Sequence, residues 1–447
     1  MIANSTTPQS CTFVAIEVAK SVHEVLVEPP SGHWQRWRLR NCQPDYEAFR
    51  DRLRAFQRPV LIGFEATGNY HRPLAYYLGQ CGFELRLISS LAVARTRDAL
   101  YNSWDKNDPK DTHVVLHLLK TGVFQRYHDP LVHRMNDLQE LAQTHYQISL
   151  RKVQVQHSIM THYLPLYFPE AERYYTNSRA QWFTQLLHRF PCPAAITRYS
   201  PEAFEHEAWT VVGRKVNKRG FLADLYTTAA HSIGLAVAED SEAIQMFRVM
   251  LAEHQHLCAT RAAIEQRADQ VLQSHPDYQR LRTLPGVGPI LALTILAEAG
   301  DLRRFPHHRQ FLKFCGFDLS TQQSGQFRGM SRLSKHGNAR LRYAFWMAAN
   351  GAVRMRQNTF REKYARYIKA DPQSPDRKRK ALCAVAAKVA RVAHGLIKTG
   401  TEYRPYFEAL PPRGALRSRG PSRQVLTSSI MLGASTGAAC WVSTVKA

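Results

Sequence analysis

Cysteine is sparse and scattered in this chain, long apolar runs are missing, and acids are scarce. The eight cysteines fall at positions 11, 42, 81, 192, 258, 315, 383 and 440, with no Cys-x-x-Cys pair. That spacing excludes a structural zinc motif and a disulfide framework, and it fits a reducing compartment. His254, His256 and Cys258 crowd together, but a helical reading sets them on different faces, so no metal site is expected there. The most apolar late stretch, Val425 to Val442, is broken by Ser, Thr and Gly, which argues against a membrane span. Met1 to Ser10 is polar and short, so no leader is expected and a cytoplasmic location is predicted. Acids number 36 against 60 Lys and Arg, a net charge of +24 over 447 residues. An excess of that size predicts a polyanionic partner, because each neutralised phosphate releases counterions.

Two or three domains are expected from the length. Strands are predicted at Thr12–Val18, Val22–Val27, Trp34–Leu39, Val60–Glu65 and Glu84–Ile88, and helices at Tyr46–Phe56, His71–Gln80, Leu91–Tyr101 and Lys106–Lys120. Three strands in succession, followed by alternating strands and helices, predict an α/β domain with a mixed sheet over residues 11–125, in the order of a ribonuclease-H fold. A helical linker is expected over 126–278. In it, Leu141, His145, Ile148, Lys152, Val155, Ile159 and His162 keep coiled-coil spacing, as do Phe247, Met250, His254, Leu257, Ile264, Ala268 and Val271. These helices suggest dimerisation, with two ordinary core helices as the plainer alternative. A mainly helical domain is predicted over 279–405. Within it, the stretch from Leu319 to Ala370 sets eleven Lys and Arg against the single acid Glu362. A basic tail, 406–447, has no acid beyond Glu408 and is expected to be disordered.

Chemistry concentrates in three places. Glu17 lies within the apolar strand Thr12–Val18 and Glu65 ends the strand Val60–Glu65, while Asp108 and Asp111 lie three apart at a helix start and share a face. A carboxylate in an apolar strand must be paired, protonated or bound to a metal. Four such acids form an oxygen-rich set suited to Mg²⁺ and phosphodiester chemistry. Each acid alone reads as structural, Glu65 and Asp108 as caps. Leu284-Pro-Gly-Val-Gly-Pro289 resembles the turn of a helix-hairpin-helix unit, where Gly286 and Gly288 would expose backbone N–H groups to a phosphate. Finally, Gln323 to Asn338 is a cationic loop with Arg328, Arg332, Lys335 and, just beyond, Arg340. Ser320, Ser324, Ser331 and Ser334 are equal candidates there for a nucleophile, or for hydroxyls that simply grip phosphate.

Taken in order, Ala15-Ile-Glu-Val-Ala-Lys20, Gly63-Phe-Glu-Ala-Thr-Gly-Asn-Tyr70, Lys106-Asn-Asp-Pro-Lys-Asp-Thr112, Leu284-Pro-Gly-Val-Gly-Pro289, Ala297-Glu-Ala-Gly-Asp301, Ser324-Gly-Gln-Phe-Arg-Gly329 and Ser334-Lys-His-Gly-Asn338 resemble the insertion-sequence-110 family of DEDD transposases. The resemblance implies a RuvC-like ribonuclease-H-fold domain, a coiled-coil linker and a C-terminal transposase domain. It also implies a DNA recombinase with Glu17, Glu65, Asp108 and Asp111 around Mg²⁺ (or Mn²⁺) and Ser324 as nucleophile. The implied partners are DNA, a bridge RNA and further copies of the chain, as a homodimer or homotetramer. One position departs from the family: Glu17 stands where the family has Asp, and the longer side chain leaves three outcomes open, namely that the site adapts, that it prefers Mn²⁺, or that activity is reduced or lost. A Holliday-junction type of metal-dependent nuclease and an inactive nucleic-acid-binding relic are the alternative readings.

Overall fold

The computed structural model describes residues 11–101, 108–175, 180–214, 216–321, 323–324, 327–329, 331–356 and 358–405. The basic tail expected over 406–447 lies outside them. The chain divides into two compact units, Met1–Asn136 and Asp137–Ala447.

The first unit is built on strands β1 (Thr12–Glu17), β2 (Val22–Glu28), β3 (Gln35–Arg40), β4 (Val60–Glu65), β5 (Glu84–Ile88) and β6 (Gln125–Arg126). They form one sheet in the order β3-β2-β1-β4-β5-β6. The β1–β2 and β2–β3 pairs are antiparallel, whereas β1–β4 and β4–β5 are parallel, so the mixed sheet read from the sequence is present. Helices α1 (Gln43–Arg54), α2 (His71–Gln80), α3 (Ser90–Tyr101) and α4 (Asp108–Lys120) complete the unit. Alternation along each strand separates two cores. Val14, Ile16, Ile62 and Phe64 pack on one face with Phe49 and Leu78 of α1 and α2, while Ala15, Leu26 and Leu61 pack on the other with Val93, Val115 and Leu119 of α3 and α4. Gly63 permits that second layer to close, since a Cβ there would stand 3.0 Å from the Leu119 side chain.

The second unit begins with α5 (Asn136–Ser158), which runs through a π-helical turn (Ile159–Tyr163) into α6 (Leu164–Tyr167). Four further helices, α7 (Ala180–Arg189), α8 (Pro193–Thr197), α9 (Pro201–Ala208) and α10 (Lys218–Ala230), lead to the long α11 (Glu242–Leu272). The segment around residues 175–240, which carries no clear sequence pattern, supplies a core of Phe183, Phe190, Phe204 and Leu222 against Phe247 of α11. Next come α12 (Pro276–Arg282), α13 (Pro289–Ala299), α14 (His308–Phe314), the short strands β7 (Leu319–Ser320), β8 (Gln323–Ser324), β9 (Phe327–Arg328) and β10 (Arg332–Leu333), and helices α15 (Ala339–Arg354), α16 (Thr359–Ile368) and α17 (Pro375–Thr399).

The two coiled-coil patterns meet each other within the chain. His145 Nε2 lies 3.0 Å from Glu265 Oε1, Lys152 lies beside His254 and Cys258, and Tyr163 stacks on Phe247 at 5.1 Å. The contacts rise along one helix and descend the other, so the pair is antiparallel. A partner from the same chain thus accounts for the spacing, and the inference of dimerisation from these helices loses its ground. Val271, assigned to the seam, is 40% exposed, and Leu272 is buried in its place.

His254 and Cys258 do share a face, at 3.9 Å, contrary to the sequence reading; one helical turn separates them, and only His256 points elsewhere. Burial, helped by the Lys152 charge, pushes the His254 imidazole down to about 4 from its ordinary 6.5. In the folded protein it stays neutral until about pH 4, whereas the unfolded chain protonates it near 6.5. Stability from this group is therefore complete above pH 6.5 and falls as the pH drops through that window. The loss approaches about 1.4 kcal/mol per pH unit. Urea titrations between pH 7 and 4 should show a steeper decline for the native chain than for His254→Gln; parallel curves would refute the assignment.

Candidate functional site

Glu17 ends β1 and Glu65 ends β4, one residue beyond the paired Ile16 and Phe64. Both occupy the carboxyl ends of neighbouring parallel strands, where open α/β sheets place ligands. Each lies two residues beyond a position on the α4-covered face, Ala15 for Glu17 and Gly63 for Glu65, so both carboxylates belong to that face. Antiparallel pairing of β1 with β2 adds Glu24, directly opposite Glu17 and hence on the same face. Glu24 was missed in the sequence, although the alternation of His23, Val25 and Val27 with Glu24 and Leu26 signals its side. Arg38 on β3 neutralises it at 2.8 Å.

The helix acids divide. Asp108 opens α4, but its side chain lies outside the described residues. Asp111 is 1% exposed and bonded to Arg97 Nε of α3 at 2.5 Å. The Asp111 carboxylate is thus committed to a guanidinium that itself is only 15% exposed. Arg97→Leu is expected to cost about 3 kcal/mol in a urea titration, because it strands a buried charge; a change below about 1 kcal/mol would mean the pair is solvated.

An all-oxygen donor set is what a hard divalent cation requires, and Glu17 and Glu65 present one. Among the described residues, no three His, Cys, Asp or Glu side chains are grouped to hold a metal.

In the second unit, Ser324 is exposed and is the last residue of β8, which pairs antiparallel with β9 through Ser324–Phe327 and Gln323–Arg328. The four serines are no longer equal. Ser334 is tied to Asp318 by its hydroxyl and by its backbone N–H at 2.8 Å, which holds β10 beside β7. Ser320 is exposed on β7, and Ser331 is half-buried.

The cationic positions also separate. Arg332 and Lys335 are exposed, whereas the Arg328 side chain lies outside the described residues. Arg340, expected to neutralise phosphate, is instead spent inside the fold. It pairs with Glu298 at 2.8 Å, donates to Ala142 O at 3.0 Å and lies over the Tyr146 ring at 4.9 Å. Gly286, expected at a phosphate turn, is a packing residue. Its φ is +82°, and a Cβ there would stand 2.1 Å from the Ala348 carbonyl oxygen of α15. Gly288 caps α13 and is half-buried, with nothing within 4 Å of where a Cβ would stand.

A signature described as the IS116/IS110/IS902 family of transposases matches residues 278–365, and a second, of DEDD transposases of the IS110 type, matches residues 14–169. The chain carries transposase domains of the IS116/IS110/IS902 kind. The first match spans Ser324, and the second spans Glu17, Glu65, Asp108 and Asp111. A protein named as a probable family 20 transposase of Pseudomonas aeruginosa is 30% identical over 161 residues, 36% of this chain and 47% of that protein. The transposase for insertion sequence element IS1111A of Coxiella burnetii is 30% identical over 140 residues, 31% of this chain and 38% of its own length. The chain thus spans less than half the length of these two relatives. An IS110 insertion-element protein of Streptomyces coelicolor aligns over 90% of this chain and 96% of its own, at 23% identity. No helix among the described residues is long and apolar enough to cross a membrane.

Proposed function

We propose that this protein is a transposase that recombines the DNA of a bacterial insertion sequence through a covalent serine link. The observation that carries this reading is the pair of family matches, which bracket the strand-end carboxylates and the exposed Ser324 in one chain. The sheet order β3-β2-β1-β4-β5 supports a RuvC-like fold for the first unit. In the proposed reaction the Ser324 oxygen attacks phosphorus, a phosphoserine ester forms, and one strand leaves as a free hydroxyl that takes the proton. Attack by a hydroxyl of another strand then releases the serine, so bond energy is conserved. Arg332, Lys335 and Arg328 would offset phosphate charge, and Gly288 would present backbone N–H at the start of α13.

Glu17 and Glu65, with Asp108, would hold Mg²⁺ or Mn²⁺, and Asp111 would join them only by exchanging its Arg97 partner for the ion. The ion would supply charge stabilisation at the scissile phosphate. A bridge RNA pairing with donor and target would set sequence choice, and two or more copies would supply the strands' active sites.

The test incubates the protein with element-end DNA, the element's RNA and Mg²⁺, followed by a denaturing gel. A protein–DNA adduct is expected. Cleavage without any adduct would favour a Holliday-junction type of nuclease with water as the nucleophile. Binding without either product, unaltered by Glu17→Asp, would mark a relic. For an active chain, Glu17→Asp is expected to raise the Mg²⁺-supported rate about tenfold relative to the Mn²⁺-supported rate, because Mg²⁺ demands near-ideal octahedral geometry. An unchanged metal preference would show that the extra methylene is accommodated.

A further inference from the structure

In the second unit, α16, α17 and the segment after α17 enclose a cleft of about 830 Å³. Gly400, at φ +72°, ends α17, and the chain then turns back so that the Tyr403 N–H donates to Thr283 Oγ1 at 2.9 Å. The Tyr403 ring is fixed as well. It stacks on Phe360 at 5.6 Å and 19°, and its hydroxyl lies 3.0 Å from Thr359 Oγ1. Val392 and Leu396 add an aliphatic wall, so one side of the cleft is apolar and aromatic.

The opposite character gathers around it. Arg366, Lys388 and Arg404 line the cleft with Glu362 and Glu402. The Lys388 ammonium is held over the Phe360 ring at 5.6 Å. Burial pushes the Lys388 amine below the usual lysine range, and the Arg366 charge pushes it further, against the pull of Glu362. Lys363 is lowered by burial and then by Lys388, Arg391 and Arg366. The fold therefore sets Arg366, Lys388, Lys363 and Arg391 close enough to repel one another, and two of them, Arg366 and Lys388, line the cleft beside the aromatic pair, where an arriving anion would relieve the repulsion.

We infer that this cleft receives one unpaired nucleotide of a single-stranded nucleic acid, its base against Tyr403 and its phosphate on Arg366 and Lys388. Stacking platforms beside basic side chains are how single strands are held, and a base in a duplex has no free face to offer. The volume is that of a small-ligand site and exceeds what a phosphate needs. Glu362 and Glu402 can accept from exocyclic amino groups of the base, and they disfavour a second phosphate within the cleft. The inference rests on the nucleic-acid reading above, but it concerns a place remote in sequence from Ser324 and separable in experiment.

The test uses the full chain and a short single strand carrying one 4-thiouracil, with photocrosslinking and peptide mapping. Crosslinks are expected in the peptides containing Thr359–Arg366 or Tyr403. They should fall at least about tenfold in Arg366→Gln/Lys388→Gln, since two charge-assisted contacts are removed. Tyr403→Leu, which keeps apolar bulk, should reduce them severalfold while the thermal transition stays in place. Competition by a nucleoside monophosphate should exceed competition by inorganic phosphate; equal competition would reduce the cleft to an anion site and overturn the inference. Strand binding with crosslinks mapping elsewhere would overturn it and leave the proposed function standing. Absence of binding to any nucleic acid would bring down both.

Discussion

Ser324→Ala is expected to abolish the covalent protein–DNA adduct, lowering its formation on the order of 10⁴-fold or more while DNA binding persists. The hydroxyl is the atom that would join phosphorus, and alanine removes it without disturbing a buried contact, because Ser324 is exposed at the end of β8. Ser334→Ala provides the contrast. Its hydroxyl is bonded to Asp318, so the change should cost about 1.5–3 kcal/mol of stability and leave adduct formation in place. An adduct that survives Ser324→Ala and disappears in Ser320→Ala would transfer the nucleophile to β7. One that survives both would remove serine chemistry from this loop.

Gly286→Ala should unfold or severely weaken the second unit, by about 3–5 kcal/mol, combining the left-handed backbone penalty with overpacking. Gly286 holds φ +82°, and the added methyl would meet the Ala348 carbonyl oxygen and the Ala352 backbone nitrogen, at 2.1 and 2.5 Å. Both are backbone atoms of α15 and cannot rotate aside. Gly351 on α15 meets the same turn from the other side, its Cβ position 3.0 Å from the Gly286 Cα. The thermal transition should fall by roughly 10 °C. Gly288→Ala, at φ −85° with open space around it, should shift it by no more than about 2 °C. If both variants melt like the native chain, the close packing of the turn on α15 is refuted, and Gly286 returns to the phosphate reading.

These two glycines show where the sequence stops being informative. Leu284-Pro-Gly-Val-Gly-Pro289 declares a tight turn between helices, since glycine and proline act locally on φ and ψ. Whether a glycine bares its backbone to a ligand or to another helix depends on what packs there, and α15 begins fifty residues later. Arg340 makes the same point with charge. In sequence it is one base among eleven, but the fold sets Glu298 against it, so it cannot also neutralise a phosphate. The spacing of the long helices is real too, yet heptad periodicity states only that an apolar stripe needs a partner. Here α11 supplies it to α5, with His145 facing Glu265.

By itself the sequence determined five of the six strands of the first unit, missing only the two-residue β6, and placed Glu17 and Glu65 on two of them. It also determined the polyanion-seeking charge and the ordered motifs that carry the resemblance to the transposase family. These follow from local propensity, period-two alternation and composition, each of which acts within a short stretch. Only the tertiary structure decided that Glu24 joins the carboxylate row, that Asp111 belongs to Arg97, and that Ser334 is tied while Ser324 is open. It also decided that a basic stretch folds against Tyr403 to make a cleft. Each of these turns on which distant residue arrives as a neighbour. Burial and pairing energies are properties of that meeting, and no single segment contains them.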